Sequence, residues 1–278
     1  MTISYKEPRN KEEDRLAYLL HLADNSLILG HRNSEWTGRG PVLEQDIAIS
    51  NIALDLIGQA RNFFQYAAKL ITDKKERFEG VAAVTTTEDS LAYLRDGWDF
   101  KNCLLAEQEN GDWAKTILRQ FFFSVYQFYL YEDLQYSRDA TIAAICEKAL
   151  KEVTYHLRWS SEWVIRLGDG TRESRQRMLR ALDELWKFTG ELTSSAEYEL
   201  SLAAKGIAVD VGTIREKWVD KVKEIFYEAK LPFPVVGIEI SGMMWMQRGG
   251  KQGQHSEYLG YILAEMQFLQ RAYPGCEW

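Results

Sequence analysis

Ile49, Ile52, Ala53, Leu56, Ala60, Phe63, Ala67 and Leu70 recur along the chain by alternating steps of three and four. That spacing is one face of a helix with 3.6 residues per turn, and a helix with such a face must bury it against others. The same patterning predicts helices over about 12–32, 43–71, 102–136, 139–167, 172–204, 211–229 and 256–272, with ends placed to within a few residues. Of the five prolines, only Pro8 and Pro41 precede position 232, so long stretches lack the strongest helix breaker. In LGDGT (167–171), Gly168 to Gly170 stops one helix and Thr171 is free to cap the next, which makes the two antiparallel neighbours. Only the tract PFPVVGIEISGMMWMQRGGKQGQ (232–254) lacks a helical pattern. With no internal repeat and no shift in composition, residues 1–278 are expected to form one all-α domain.

Composition narrows the function classes. The chain has 46% hydrophobic and 27% charged residues and a formal net charge of −7. The acidic balance and the lack of a Lys/Arg run argue against a nucleic-acid partner. Cys103, Cys146 and Cys276 are odd in number and lack CxxC spacing, so they read as reduced thiols. The opening MTISYKEPRNKEEDR is too polar for a signal peptide, and no run of 18 apolar residues exists to cross a bilayer, so the cytoplasm is expected. GxSxG, Walker and HExxH motifs are absent. The aromatic run FFFSVYQFYLYEDL (121–134) reads as a stripe for the core and an interface.

Candidate chemistry lies in acids that share a helical face with apolar residues, where an isolated charge is costly. Asp24 falls among Ala17, Leu20, Leu27 and Ile28; Asp46 shares a face with Ala53, Ile57 and Ala60; Glu107 lines up with Ala114, Leu118, Phe121 and Val125. In KEVTYHLRW (151–159), Glu152 and His156 lie beside the direction of Ala149 and Val153. Four inward acids on four helices suit a carboxylate-bridged di-iron centre, whose usual ligands are a Glu from each of two helices and a Glu-x-x-His pair from each of the other two. The chain falls short of that set. His156 follows Glu152 at i+4, and the second helix offers no imidazole: Asp46 is followed by Ile49 and Ser50, and Asp55 by Gly58 and Gln59. The plain alternative is that these acids are structural, capping helices or pairing with arginine.

The stretches LADNSLILGHRNSEW, LEQDIAISNIALDLIGQARNFFQYAA, RDGWDFKNCLLAEQENGDWAKTILRQFF, KEVTYHLRWSSEWVIRLGDGT and GGKQGQHSEYLGYILAEMQFLQRAYPGCEW resemble the C subunits of bacterial ring 1,2-phenylacetyl-CoA epoxidases, from about residue 15 to the C-terminus. The resemblance implies a ferritin-like four-helix bundle with additional C-terminal helices. It implies a non-catalytic subunit with no cofactor of its own, working beside a catalytic A subunit that carries the di-iron site and beside small and reductase subunits. On this reading Asp24, Asp46, Glu107, Glu152 and His156 are remnants of a lost metal site. It also implies contacts to phenylacetyl-CoA near the subunit boundary from Asp99, Phe100, Lys101 and Asn102, where Lys101 suits a phosphate and Asn102 an amide. A helix-start loop capped by Asp99 or Asn102 explains the same four residues without substrate. An active di-iron oxygenase with an unusual ligand set and a helical binding protein without oxygen chemistry are the competing functions.

Overall fold

A computed structural model of the chain describes residues 11–79, 86–234 and 246–276. Among them every regular element is a helix. The helices are α1 (Lys11–Ser34), α2 (Leu43–Glu79), α3 (Glu88–Tyr93), α4 (Leu104–Glu107), α5 (Trp113–Leu134), α6 (Ala140–Gly168), α7 (Arg172–Leu185), α8 (Glu197–Ala203), α9 (Arg215–Glu228), α10 (Glu257–Met266) and α11 (Phe268–Ala272). Tight 3₁₀ turns at Gly97–Asp99, Trp186–Glu191 and Gly250–Gln252 complete the order.

The core is two hairpins, α1 with α2 and α5 with α6, packed side by side so that α2 also meets α6. The α2 face from Ile49 to Ala67 is fully enclosed, as its periodicity required. At the turn after α6, Asp169 ends the helix and the Thr171 hydroxyl accepts from the Ser174 backbone N–H to begin α7. The aromatic run of α5 belongs to this chain's own core: Phe121, Phe122, Phe123, Tyr126 and Tyr131 are buried, and Phe122 packs against Trp186, Trp218 and Phe226. It therefore leaves little for an interface.

Three expected helices are broken. The one over 102–136 stops at Glu107 and restarts at Trp113. Gly111 adopts φ +56°, a left-handed conformation, and the Asp112 carboxylate caps α5 through the Lys115 N–H. Glu107 is thus on α4 and not on the α5 face of Ala114 and Leu118. The helix over 172–204 tightens into 3₁₀ geometry at Trp186, where the Thr189 hydroxyl bonds the Trp186 carbonyl, and resumes as α8 only after Ser194 and Ser195. The last helix divides at Gln267 into α10 and α11. Of the tract 232–254, residues 235–245 lie outside the described residues; the rest is irregular apart from the turn Gly250–Gln252. No described helix is long and apolar enough to cross a membrane.

Candidate functional site

Between the two hairpins a polar layer crosses the bundle with one residue from each long helix. Gln59 on α2 donates from Nε2 to Glu152 Oε2 on α6 at 2.8 Å and accepts at Oε1 from Gln127 Nε2 on α5 at 2.9 Å. Gln127 also donates to the Tyr131 hydroxyl at 3.1 Å and reaches the Ser26 hydroxyl on α1 at 3.5 Å. Ser26, Gln59 and Gln127 are buried. Gln59 both donates and accepts, so it links α6 to α5 without adding a charge to the core, whereas Gln127 only donates and its Oε1 has no partner among the described residues. One turn along the same α2–α6 seam, His156 Nε2 meets Asp55 Oδ2 at 2.9 Å. The pairs Asp55–His156 and Gln59–Glu152 are matched rungs of two antiparallel helices, each with i, i+4 spacing. His156 is fully buried, and its Nδ1 has no partner among the described residues.

The acids singled out in the sequence do not converge here. Asp24 is fully buried on α1, where its carboxylate takes two guanidinium N–H groups of Arg95 and the backbone N–H of Lys101. Asp46 does not face inward: it accepts from the Gly38 and Gly40 backbone N–H groups at 3.1 and 2.8 Å, closing the loop before α2. Those bonds hold its carboxyl below the usual carboxylate range. Glu107 is buried but lies outside the layer, accepting from Ser256 N–H, Asn102 Nδ2 and His255. Only Glu152 and His156 touch the layer, and each is held by α2 rather than by the other or by an arginine.

The residues present do not fit a di-iron centre. Two hard, highly charged ions need several anionic oxygens, whereas the layer offers one carboxylate, two neutral amides and two hydroxyls. Among the described residues no group of three or more His, Cys, Asp or Glu stands close enough to hold a metal ion.

A second constellation is a clasp between the 97–108 segment and the C-terminal segment 249–256. Phe100 is buried beneath the Arg95 guanidinium, 4.2 Å from the ring centre. Asp99 is exposed and accepts from the Asp96 N–H, which caps the turn. Lys101 gives its N–H to Asp24 and its carbonyl to His21 Nδ1 at 2.7 Å, and Asn102 is buried against Glu107. A Cβ on Gly250 would lie 2.2 Å from the Asn102 carbonyl oxygen, so only glycine permits this approach. Lys251, also buried, donates to Glu199 at 2.9 Å and to the Ser194 carbonyl at 3.0 Å, while Glu199 lies 3.7 Å from His21. Burial, with the Lys251 charge beside it, lowers the His21 pKa to about 4.

The family model for the phenylacetic acid catabolic protein matches residues 2–278. The chain belongs to that family. A relative in this phenylacetic acid catabolic family, the C subunit of the 1,2-phenylacetyl-CoA epoxidase of Escherichia coli (strain K12), is 46% identical over 262 residues, covering 94% of this chain and 98% of the relative. The alignment therefore includes the polar layer and both halves of the clasp. Ser26, Gln59 and Gln127 carry no charge, so the pattern of inward acids does not mark them. The available signal was the pairing of Asp55/Gln59 with Glu152/His156 at the same i, i+4 spacing.

Proposed function

We propose that this chain is a non-catalytic structural subunit of a multicomponent di-iron monooxygenase that epoxidises the aromatic ring of phenylacetyl-CoA in phenylacetate degradation. The observation that carries the reading is the amide layer. Where a ferritin-like bundle would present bridging carboxylates to two irons, this one has Gln59, Gln127 and Ser26 bonded to one another and to a single glutamate. The amides replace charge with internal hydrogen bonds, so the bundle holds together without a metal to neutralise it. The E. coli relative is by name one subunit of an epoxidase, which supports a reading with partner chains. Di-iron chemistry then belongs to a catalytic A subunit, accompanied by small and reductase subunits.

Of the loop 99–102, Phe100 and Asn102 are inside the fold, which leaves Asp99 and Lys101 as the members that phenylacetyl-CoA would meet at a subunit boundary. One observation favours the competing reading of an active centre. A metal-binding imidazole typically gives its other ring N–H to a carboxylate, and His156 has that arrangement with Asp55 and an unpartnered Nδ1. Metal analysis separates the two. The purified chain, grown with iron, should hold far less than one iron per chain, whereas two tightly bound irons per chain would make it an oxygenase in its own right. Glu152→Ala gives the second test: turnover per intact complex should be unchanged, with complex quantified separately.

A further inference from the structure

We propose that residues 249–272 form a strap that opens as one unit while the two hairpins stay packed, and so uncovers the 97–108 segment. The strap is short of apolar anchors. Of α10 only Leu259, Ile262 and Leu263 are buried and of α11 nothing is, while Tyr261, Phe268 and Leu269 are exposed. What holds the strap is polar. Three buried carboxylates take its hydrogens: Glu191 accepts from the Gly249 and Lys251 N–H groups at 2.9 and 3.3 Å, Glu107 from Ser256 N–H and His255, and Glu199 from Lys251 Nζ. At the far end Gln267 and Arg271 donate to the Arg95 carbonyl, and Arg271 also to the Asp96 carboxylate.

Water replaces such partners when the strap lifts, because a carboxylate or N–H released at a surface is rehydrated. Parting the hairpins instead bares the apolar face of Ile49 to Ala67 and the aromatic run of α5, with no such compensation. The strap therefore belongs to the low-stability end of the molecule, where few buried apolar contacts set the cost of opening. Glu191 makes the strap and the 97–108 segment one joint. Its second oxygen accepts from Leu104 N–H at 2.8 Å, and among the described residues no cationic side chain bonds it. Gly250 and Gly253 complete the seating: a Cβ would lie 3.2 Å from the Cys103 carbonyl carbon at the first and 2.3 Å from the Trp98 carbonyl oxygen at the second. The strap thus covers the backbone between Trp98 and Leu104. Any molecule that prefers this backbone covered, or bare, shifts the strap by the same free energy.

Alkylation of the native full chain by iodoacetamide at one pH, with each thiol followed by peptide mass, reads the opening. Cys276 is exposed and reacts first, Cys103 is buried beneath the strap, and Cys146 is buried on α6 in the bundle core. Cys103 should react about tenfold or more faster than Cys146, since its exposure needs only the local opening. Arg271→Ala, an exposed change at the far end of the strap, should quicken Cys103 about threefold or more and leave Cys146 unchanged. Glu191→Gln, which sets an amide N–H against backbone N–H groups, should quicken Cys103 further. Equal rates at Cys103 and Cys146 in the parent chain mean that the strap opens only with the bundle, and overturn the proposal. A Cys103 rate that Arg271→Ala or a folded Glu191→Gln leaves unmoved overturns it as well, and the Arg271 variant decides whether or not the Glu191 variant folds. If either substitution quickens both thiols alike, the opening is global and the strap is not a separate unit.

Discussion

His255 places Nδ1 2.8 Å from Glu107 Oε2 and Nε2 2.9 Å from the Phe100 carbonyl oxygen. Both neighbours accept, so both ring nitrogens carry hydrogen and the imidazole is held as a cation against a buried carboxylate. The pair closes the clasp between the 97–108 segment and the start of α10.

Stability should therefore fall as pH rises above neutral. Burial opposes the His255 charge, but the Glu107 hydrogen bond and charge, with the Phe100 carbonyl, outweigh it and raise the pKa. A raised folded pKa means that the native state binds the extra proton. The stabilisation is complete below the unfolded value of about 6.5 and is lost as pH rises through the folded pKa. Urea denaturation between pH 6 and 9 should show this decline, and His255→Gln should flatten it.

The acid side should behave oppositely. His21 is depressed to about 4 by burial and by Lys251, and His31 is lowered by burial. Between about 4 and 6.5 the unfolded chain binds a proton at His21 that the native state refuses, and His31 acts in the same direction, so stability drops as pH falls across that window. For His21 the loss is about 3 kcal/mol at 1.36 kcal/mol per unit. His21→Gln should remove most of the acid slope in the same denaturation series.

Adding a second carboxylate to the polar layer should harm the isolated chain. Gln59→Glu replaces the donor that meets Glu152 at 2.8 Å with a second acceptor, so two carboxylates face each other, while Gln127 Nε2 still finds an oxygen at position 59. A cost of about 2–4 kcal/mol is expected near neutral pH from an unpaired buried charge and a lost bond. It should shrink as pH falls and the carboxylates share a proton. Equal stability of parent and variant at pH 7.5 would show that the layer is not closed by these bonds.

How far the sequence exposed this arrangement depends on what each residue signals. The face of Ile49, Leu56 and Phe63 is readable because burial repeats along one helix, and the long helices follow. The break after Glu107 was hidden because apolar residues on both sides continue the same period by chance; Asn110, Gly111 and Asp112 marked it, as a left-handed turn followed by a cap. Asp24 is buried, as its helical neighbours implied, and Glu107 is buried on α4 rather than on the α5 face expected for it; their partners Arg95 and His255 lie 71 and 148 residues away. Such contacts arise from packing of whole segments, which helical periodicity does not encode. Asp46 misled because its loop folds back on it: two glycine N–H groups, not the bundle, claim its oxygens.

The buried Lys251–Glu199 pair gives the last prediction. Lys251 reaches the core because the 249–256 segment is drawn under Asn102, and its ammonium has Glu199 and the Ser194 carbonyl as partners. Lys251→Met leaves Glu199 buried with the Ala196 N–H and a neutral His21 only, and breaking such a pair costs about 3–5 kcal/mol. Glu199→Gln removes the charge but keeps an oxygen for the Ala196 N–H, so adding it to Lys251→Met should recover a large part of the loss. The cycle of four proteins isolates the pair from the packing of either side chain. His21 provides an independent readout, because the Lys251 charge is one of the causes holding its pKa low. In Lys251→Met the His21 ring should titrate well above 4 by NMR as Glu199 takes it for a partner, and in the double variant it should fall back. A His21 titration that ignores both substitutions would mean that the ring does not sense the pair and that burial alone holds its pKa low.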